Sequence, residues 1–190
     1  SGDQEGGIRV EVFSDGDYSD KIAETTIPEP GNYTIEGVPG GCDYWIRAYV
    51  DNDGQGELDS MEPVGGYSGN PIHQLASNRT GIDITLTSLS APQGVDAVGG
   101  PTSIEVSWLP NSESGIAGYN VYRFDYNCET FEKINGAPVE GCKFTDFAVK
   151  AGEVYYYYVT AVIQSEYTSD YLESPASVIV DAELAGKIGR

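Results

Sequence analysis

The sequence predicts an all-β chain of two tandem β-sandwich domains, and three observations carry that prediction. Apolar residues recur with period two in short runs, as on half-buried strands, and nowhere with the 3.6-residue period of a helix. The composition is one of strands and turns, with 24 Gly, 10 Pro and 14 Tyr against a single Met. The length of 190 residues suits two domains of roughly 90 to 100 each. The predicted boundaries are 1–89, 90–184 and a short tail, 185–190.

In the first half, Ile8, Val10 and Val12 alternate with Arg9 and Glu11 as a strand, which the turn Ser14-Asp15-Gly16-Asp17 ends. A second strand runs from about Ile22 to Ile27, and Pro28-Glu29-Pro30-Gly31 breaks it. Tyr33 and Ile35 alternate with Thr34 and Glu36 as a third. After the turn Val38-Pro39-Gly40-Gly41, the residues Tyr44, Ile46, Ala48 and Val50 form a strand that delivers the chain into Asp51. The Gly-rich stretch from Pro63 to Pro71 reads as irregular, and Ile82, Ile84 and Leu86 as a closing strand.

Ser88 to Gly94 reads as a short linker that Pro92 stiffens, which predicts a semi-rigid arrangement of the two domains. Beyond it, Ile104, Val106 and Trp108 alternate as one strand. Tyr119 and Val121 point inward from Gly118–Arg123, and Tyr155, Tyr157, Val159 and Ala161 from a later one. Val178-Ile179-Val180 closes the series.

The stretch from Asp51 to Glu62 carries the most specific chemistry. Oxygen-bearing side chains stand at Asp51, Asp53, Gln55, Asp59 and Glu62, with Gly56 and Leu58 between them. This spacing resembles the twelve-residue calcium loop of the EF-hand family. The resemblance implies side-chain oxygens from Asp51, Asp53 and Gln55 and the backbone carbonyl of Glu57. It also implies Asp59, directly or through water, and both oxygens of Glu62. Gln55 departs from the family's Asp or Asn, and a strand and Pro63 replace the flanking helices. A calcium switch needs two helices to reorient, so the implied ion is structural.

Two further resemblances give the sandwiches their expected kinds. Gly31-Asn32-Tyr33-Thr34-Ile35-Glu36-Gly37-Val38-Pro39-Gly40-Gly41, followed by the Tyr44 to Val50 strand, resembles the transthyretin-like, carboxypeptidase-regulatory-like sandwiches, many of them bacterial. The second half resembles an immunoglobulin-like fibronectin type III domain. Trp108 stands at the place of the core tryptophan, Gly118–Arg123 matches strand C, and Glu173 to Val180 fits strand G. Ala151-Gly152-Glu153-Val154-Tyr155 matches the turn that makes Tyr155 the tyrosine-corner residue, with Ala151 in place of proline.

In that second half, Tyr156 and Tyr158 alternate outward, and Tyr122 should join them on the neighbouring strand. Such a stripe can stack on sugar rings or anchor a protein; it can also pack cross-strand or against another module. Cys128 and Cys142 are expected to form a disulfide, which would stabilise by roughly 3 kcal/mol, leaving Cys42 free or paired elsewhere. His73 is the only histidine, which excludes a multi-histidine zinc site and leaves no sign of a catalytic triad. Asn32-Tyr33-Thr34 and Asn78-Arg79-Thr80 fit the glycosylation sequon, a triplet that arises often by chance.

The formal charge of −20 argues against nucleic acid and anionic membrane surfaces. No apolar run is long enough for membrane insertion as a helix. No signal peptide is visible, and Ser1-Gly2 reads as an appended or processed start of an excised piece. Together these readings describe a non-catalytic, calcium-stabilised spacer or adhesion pair from a secreted or cell-surface bacterial protein. Its expected partners are neighbouring modules, with polysaccharide or a surface protein as further options. The alternatives are an accessory carbohydrate-binding module of a secreted polysaccharide-degrading enzyme, or a subunit of a self-assembling surface fibre.

Overall fold

A computed structural model describes residues 7–167 and 171–185 of the chain, and every described element is β. The chain divides into two units: residues 1–88 with 165–172, and residues 89–164 with 173–190. The boundary falls one residue before the expected one. The assignment of 165–172 to the first unit has a local cause, since Arg47 Nη1 donates to the Tyr167 carbonyl at 2.8 Å and the Tyr167 ring meets Tyr18 edge-on.

The first unit is built on strands β1 (Ile8–Phe13), β2 (Lys21–Ile27), β3 (Trp45–Val50) and β4 (Val64–Gly66), in the sheet order β2-β1-β3-β4. Period two decides the faces. Ile8, Val10 and Val12 of β1 and Ile46 and Ala48 of β3 share the buried face, with Val10 opposite Ala48 and Val12 opposite Ile46. The other face therefore carries Arg9 and Glu11 of β1 beside Arg47 and Tyr49 of β3. There the buried Glu11 carboxylate is held between Arg47 Nε at 2.8 Å and Lys21 Nζ at 3.1 Å.

The second layer corrects two expectations. Tyr33, Ile35, Ile82, Ile84 and Leu86 pack on the core as the alternation requires, yet neither segment forms a strand ladder. Single bridges, Val64 to Thr87 and Tyr67 to Ile84, replace it on one side. On the other, the Tyr33 hydroxyl donates to the Ile82 carbonyl at 2.7 Å. Around Tyr33 and Ile35 the breakers Gly31 and Gly37 stand close enough to leave room for side-chain packing and not for repeated backbone pairing. Conversely, β4 lies in the stretch expected to be irregular. Gly65 permits it, because a Cβ there would stand 2.0 Å from the Thr85 carbonyl oxygen.

The second unit is a β-sandwich. Strands β5 (Asp96–Gly99), β6 (Ile104–Ser107) and β9 (Lys143–Asp146) form one sheet in the order β5-β6-β9. The other holds β10 (Val154–Gln164), β7 (Ile116–Asp125) and β8 (Thr130–Lys133) in that order, with β12 (Val180–Glu183) also pairing β10, and Glu173, the last residue of β11 (Tyr171–Glu173), belongs to this unit. Ile104, Val106, Trp108, Tyr119, Val121, Tyr155, Tyr157, Val159 and Ala161 make the core between the sheets, as the alternation predicts. The Tyr155 hydroxyl accepts from the Lys150 amide at 2.9 Å and donates to Glu153, which pins the turn before β10.

Two details differ from expectation. The last strand starts at Val180, while Val178 and Ile179 are exposed. Just before it, Ser174 and Ser177 bond β10 with both backbone and side chain, their amides donating to the Ala161 and Val159 carbonyls at 2.8 and 3.0 Å. The Ser174 and Ser177 hydroxyls accept from the Ala161 and Val159 amides, at 2.9 and 3.0 Å. The expected Cys128–Cys142 disulfide is absent, and both thiols are free, as is Cys42. Cys128 lies in the connection from β7 to β8 of one sheet, beside Glu132. Cys142 precedes β9 of the facing sheet and packs on the core. Cys128 is thus an exposed thiol on a strand connection and Cys142 one turned to the core, so the two stand in different surroundings.

Candidate metal centre

The loop from Asp51 to Glu62 leaves β3 and is closed at its base. The Val50 amide donates to the Pro63 carbonyl at 2.9 Å, and the Asp51 amide to that of Gly7 at 3.0 Å. Gly54 and Gly56 adopt φ of 72° and 83°, left-handed angles that glycine takes without strain and that let the chain reverse here.

Asp51 and Glu62 are buried at the two ends of the loop, 2 % and 5 % exposed. Arg9 Nε donates to Asp51 Oδ2 at 2.7 Å, while Asp51 Oδ1 is buried and has no hydrogen-bond partner. The register explains the pairing. Arg9 stands opposite Tyr49, so Asp51, two residues on, emerges beside Arg9 on the same face. Glu62 Oε1 accepts from the Asn52 amide at 2.6 Å, and Oε2 from the Asp59 amide at 3.0 Å. The exposed Asp53 accepts from the Gln55 amide at 2.8 Å.

These contacts bring Asp51, Asp53 and Glu62 together, each offering one carboxylate oxygen within 4.8 Å of the others. Asp59 reaches the same group through its backbone, its amide donating to Glu62 Oε2. Gln55 and Glu57, the other expected contributors, are exposed.

The electrostatics of the site divide its acids. The Arg9 guanidinium holds the Asp51 carboxyl below the usual carboxylate range, against the opposing effect of its burial. Burial pushes Glu62 up, and the charges of Asp51 and Asp59 add to that, against the pull of two backbone amides. Burial and then Asp53 push Asp59 up as well. The cluster thus carries more negative charge than its own donors satisfy. A hard dication bound by carboxylate oxygens would meet that excess, and the orphaned Asp51 oxygen is a ligand atom already stripped of water. The donor set is all oxygen, which suits calcium. Sequence reasoning missed Arg9, since nothing within the loop signals a cation supplied by another strand.

The tyrosine face has a different geometry. Tyr122 and Tyr158 are stacked, with centroids 4.6 Å apart and planes at 19°, and Phe131 lies 4.8 Å from Tyr158. The Tyr122 hydroxyl donates to the Glu173 carboxylate at 3.0 Å. Tyr156 is more open, at 38 % exposed. The rings of Tyr122 and Tyr158 are therefore occupied by each other, as cross-strand neighbours commonly are.

No protein-family model and no curated protein matches the chain. Among solved structures it is similar to an Fn3-like protein from Clostridium thermocellum. That likeness is 23 % identical, covers 55 % of this chain and 100 % of the other, and has a TM-score of 0.43. It is also similar to the FN1-FN3 domains of chicken CNTN1, at 18 % identity over 94 % of this chain and 56 % of that one, with a TM-score of 0.42. A β-1,2-glucanase from Parabacteroides distasonis matches at 18 % identity over 95 % of this chain and 28 % of its own, with a TM-score of 0.40. The chain thus spans little more than half of the second structure and about a quarter of the third. At these identities the likeness concerns the fold alone.

Proposed function

We propose that the chain is a non-catalytic pair of β modules from a secreted or cell-surface protein. Its first module, a transthyretin-like one, is rigidified by one structural calcium ion. Asp51, Asp53, Asp59 and Glu62 supply carboxylate oxygens to the ion, with Gln55 and the Glu57 carbonyl completing the shell. The single observation that supports this most is Asp51 Oδ1, buried and without a hydrogen-bond partner in a residue whose carboxylate lies close to those of Asp53 and Glu62. A cation there turns mutual repulsion into cohesion and ties the end of β3 to the residues ahead of β4. The −20 net charge is in keeping with a protein that works among divalent cations. No helix among the described residues is long and apolar enough to cross a membrane.

Scanning calorimetry of the whole chain in millimolar calcium and in excess chelator tests the reading. Calcium should raise the melting of the first unit and leave the second in place. The expected gain is roughly 2.7 kcal/mol at a hundredfold excess over the dissociation constant. An unmoved first transition, together with no heat on titration, would sink it.

A further inference from the structure

We propose that Arg9 is a built-in counter-ion of this loop, which keeps the loop folded without metal and thereby weakens its hold on calcium. The inference rests on the calcium reading above and adds what sets the affinity. Its basis is a set of contacts made by one guanidinium. Nε donates to Asp51 Oδ2 at 2.7 Å, with the Asp51 side chain 3 % exposed and that of Arg9 23 %. Nη1 lies 3.5 Å from Glu24 Oε1, which fastens the group to β2. The guanidinium also lies against Gly56, where a Cβ would stand 2.7 Å from Nη2 and 3.0 Å from Cζ. The loop's first carboxylate and its central glycine are thus both seated on one cation of β1.

The sign of the effect follows from linkage. A contact that stabilises the metal-free form more than the bound form lowers affinity by the difference. Without metal, Arg9 neutralises the one loop carboxylate most deeply buried. With metal, Asp51 divides its charge between two cations, and the guanidinium stands near a dication that repels it. Both effects lower the affinity, toward the range of about 10⁻⁴ to 10⁻³ M used by extracellular calcium modules. Arg9 also positions the ligand. By occupying Oδ2 it leaves Oδ1 as the oxygen offered to the ion.

Calcium titration by calorimetry on the whole chain, comparing wild type with Arg9→Met and Arg9→Lys, tests this. Methionine keeps the stem's packing and removes the charge, whereas lysine keeps the charge. Arg9→Met should bind calcium about tenfold more tightly, the scale set by one charge-assisted hydrogen bond, while melting lower than wild type in chelator. Arg9→Lys should stay near the wild-type affinity. A merely structural arginine predicts the reverse for Arg9→Met, with affinity equal or weaker. That result, or a matching gain in Arg9→Lys, overturns the proposal. Should Arg9→Met be unfolded in chelator, folding on addition of calcium supports the counter-ion role, and failure to fold in calcium refutes it. A wild-type chain that gives no calcium heat removes the calcium reading itself and this inference with it.

Discussion

Replacing Glu62 with glutamine separates a calcium ligand from a loop-closing hydrogen-bond acceptor, because the two roles predict opposite patterns. Glu62 is buried and accepts two backbone amides, from Asn52 and Asp59. Were it only a cap, Glu62→Gln would leave one of those amides facing an NH₂ group and destabilise the metal-free protein. Yet burial and the charges of Asp51 and Asp59 already disfavour its ionised form, so a neutral side chain also relieves a cost. The two effects oppose each other, and the expected change in chelator is within about 1 kcal/mol. In calcium the balance is different, since glutamine offers one neutral oxygen where glutamate offers two that share a charge. The variant should lose the whole ion-linked gain, roughly 2.7 kcal/mol at a hundredfold excess. For a unit of this size, that loss lowers the melting temperature by roughly 10 to 20 °C. Calorimetry of both proteins, each with calcium and with chelator, measures all four quantities. A calcium shift retained in Glu62→Gln, or a variant crippled equally in both conditions, refutes the reasoning.

Two further outcomes concern the second unit. Tyr157 is fully buried and donates to Asp146 Oδ2 at 3.0 Å, an oxygen that also takes Arg123 Nη1 at 2.7 Å. Tyr157→Phe should cost about 1.5 to 3 kcal/mol, as for a hydrogen bond to a charged group, and equilibrium urea unfolding with an unchanged slope measures it. Glu113 accepts from the Ser90 amide at 2.6 Å, and that bond, with Asn111 assisting, lowers its pKa from 4.5 to about 2. A depressed carboxylate stabilises the fold above its unfolded value, and that contribution is lost as pH falls through the folded one. Wild type should therefore weaken between pH 4.5 and about 2 more steeply than Glu113→Gln. Parallel pH profiles of the two would contradict this.

How much of this was legible in the sequence depends on the range of the forces involved. The inward positions of Val10, Ile46, Tyr119 and Tyr157 follow from period-two alternation, a property of a few consecutive residues. Trp108 and Tyr155 were legible for the same reason, and the Gly152 turn through the resemblance of Ala151 to Tyr155 to a family motif. Segments that obeyed the alternation yet formed no ladder, Tyr33–Ile35 and Ile82–Leu86, show where the rule stops. Alternation reports which side chains are buried, whereas a ladder needs a partner backbone held at the right distance along its length. The disulfide expectation stopped at a similar place, because nearness in sequence did not disclose that one thiol would lie exposed beside Glu132 and the other against the core.

By itself, the sequence determined the all-β class, the faces of the strands, and the spacing of acids and glycines between Asp51 and Glu62. Each of these is written in local periodicity and in backbone freedom. The tertiary structure alone decided that Asp51 would be buried against Arg9, and that Glu62 would face inward on the amides of Asn52 and Asp59. It also decided that the carboxylates of Asp51, Asp53 and Glu62 would converge. Those outcomes depend on the antiparallel register of β1 and β3, which sets Arg9 opposite Tyr49 across some forty residues of chain. Register is a property of paired strands, and no single stretch of sequence contains it.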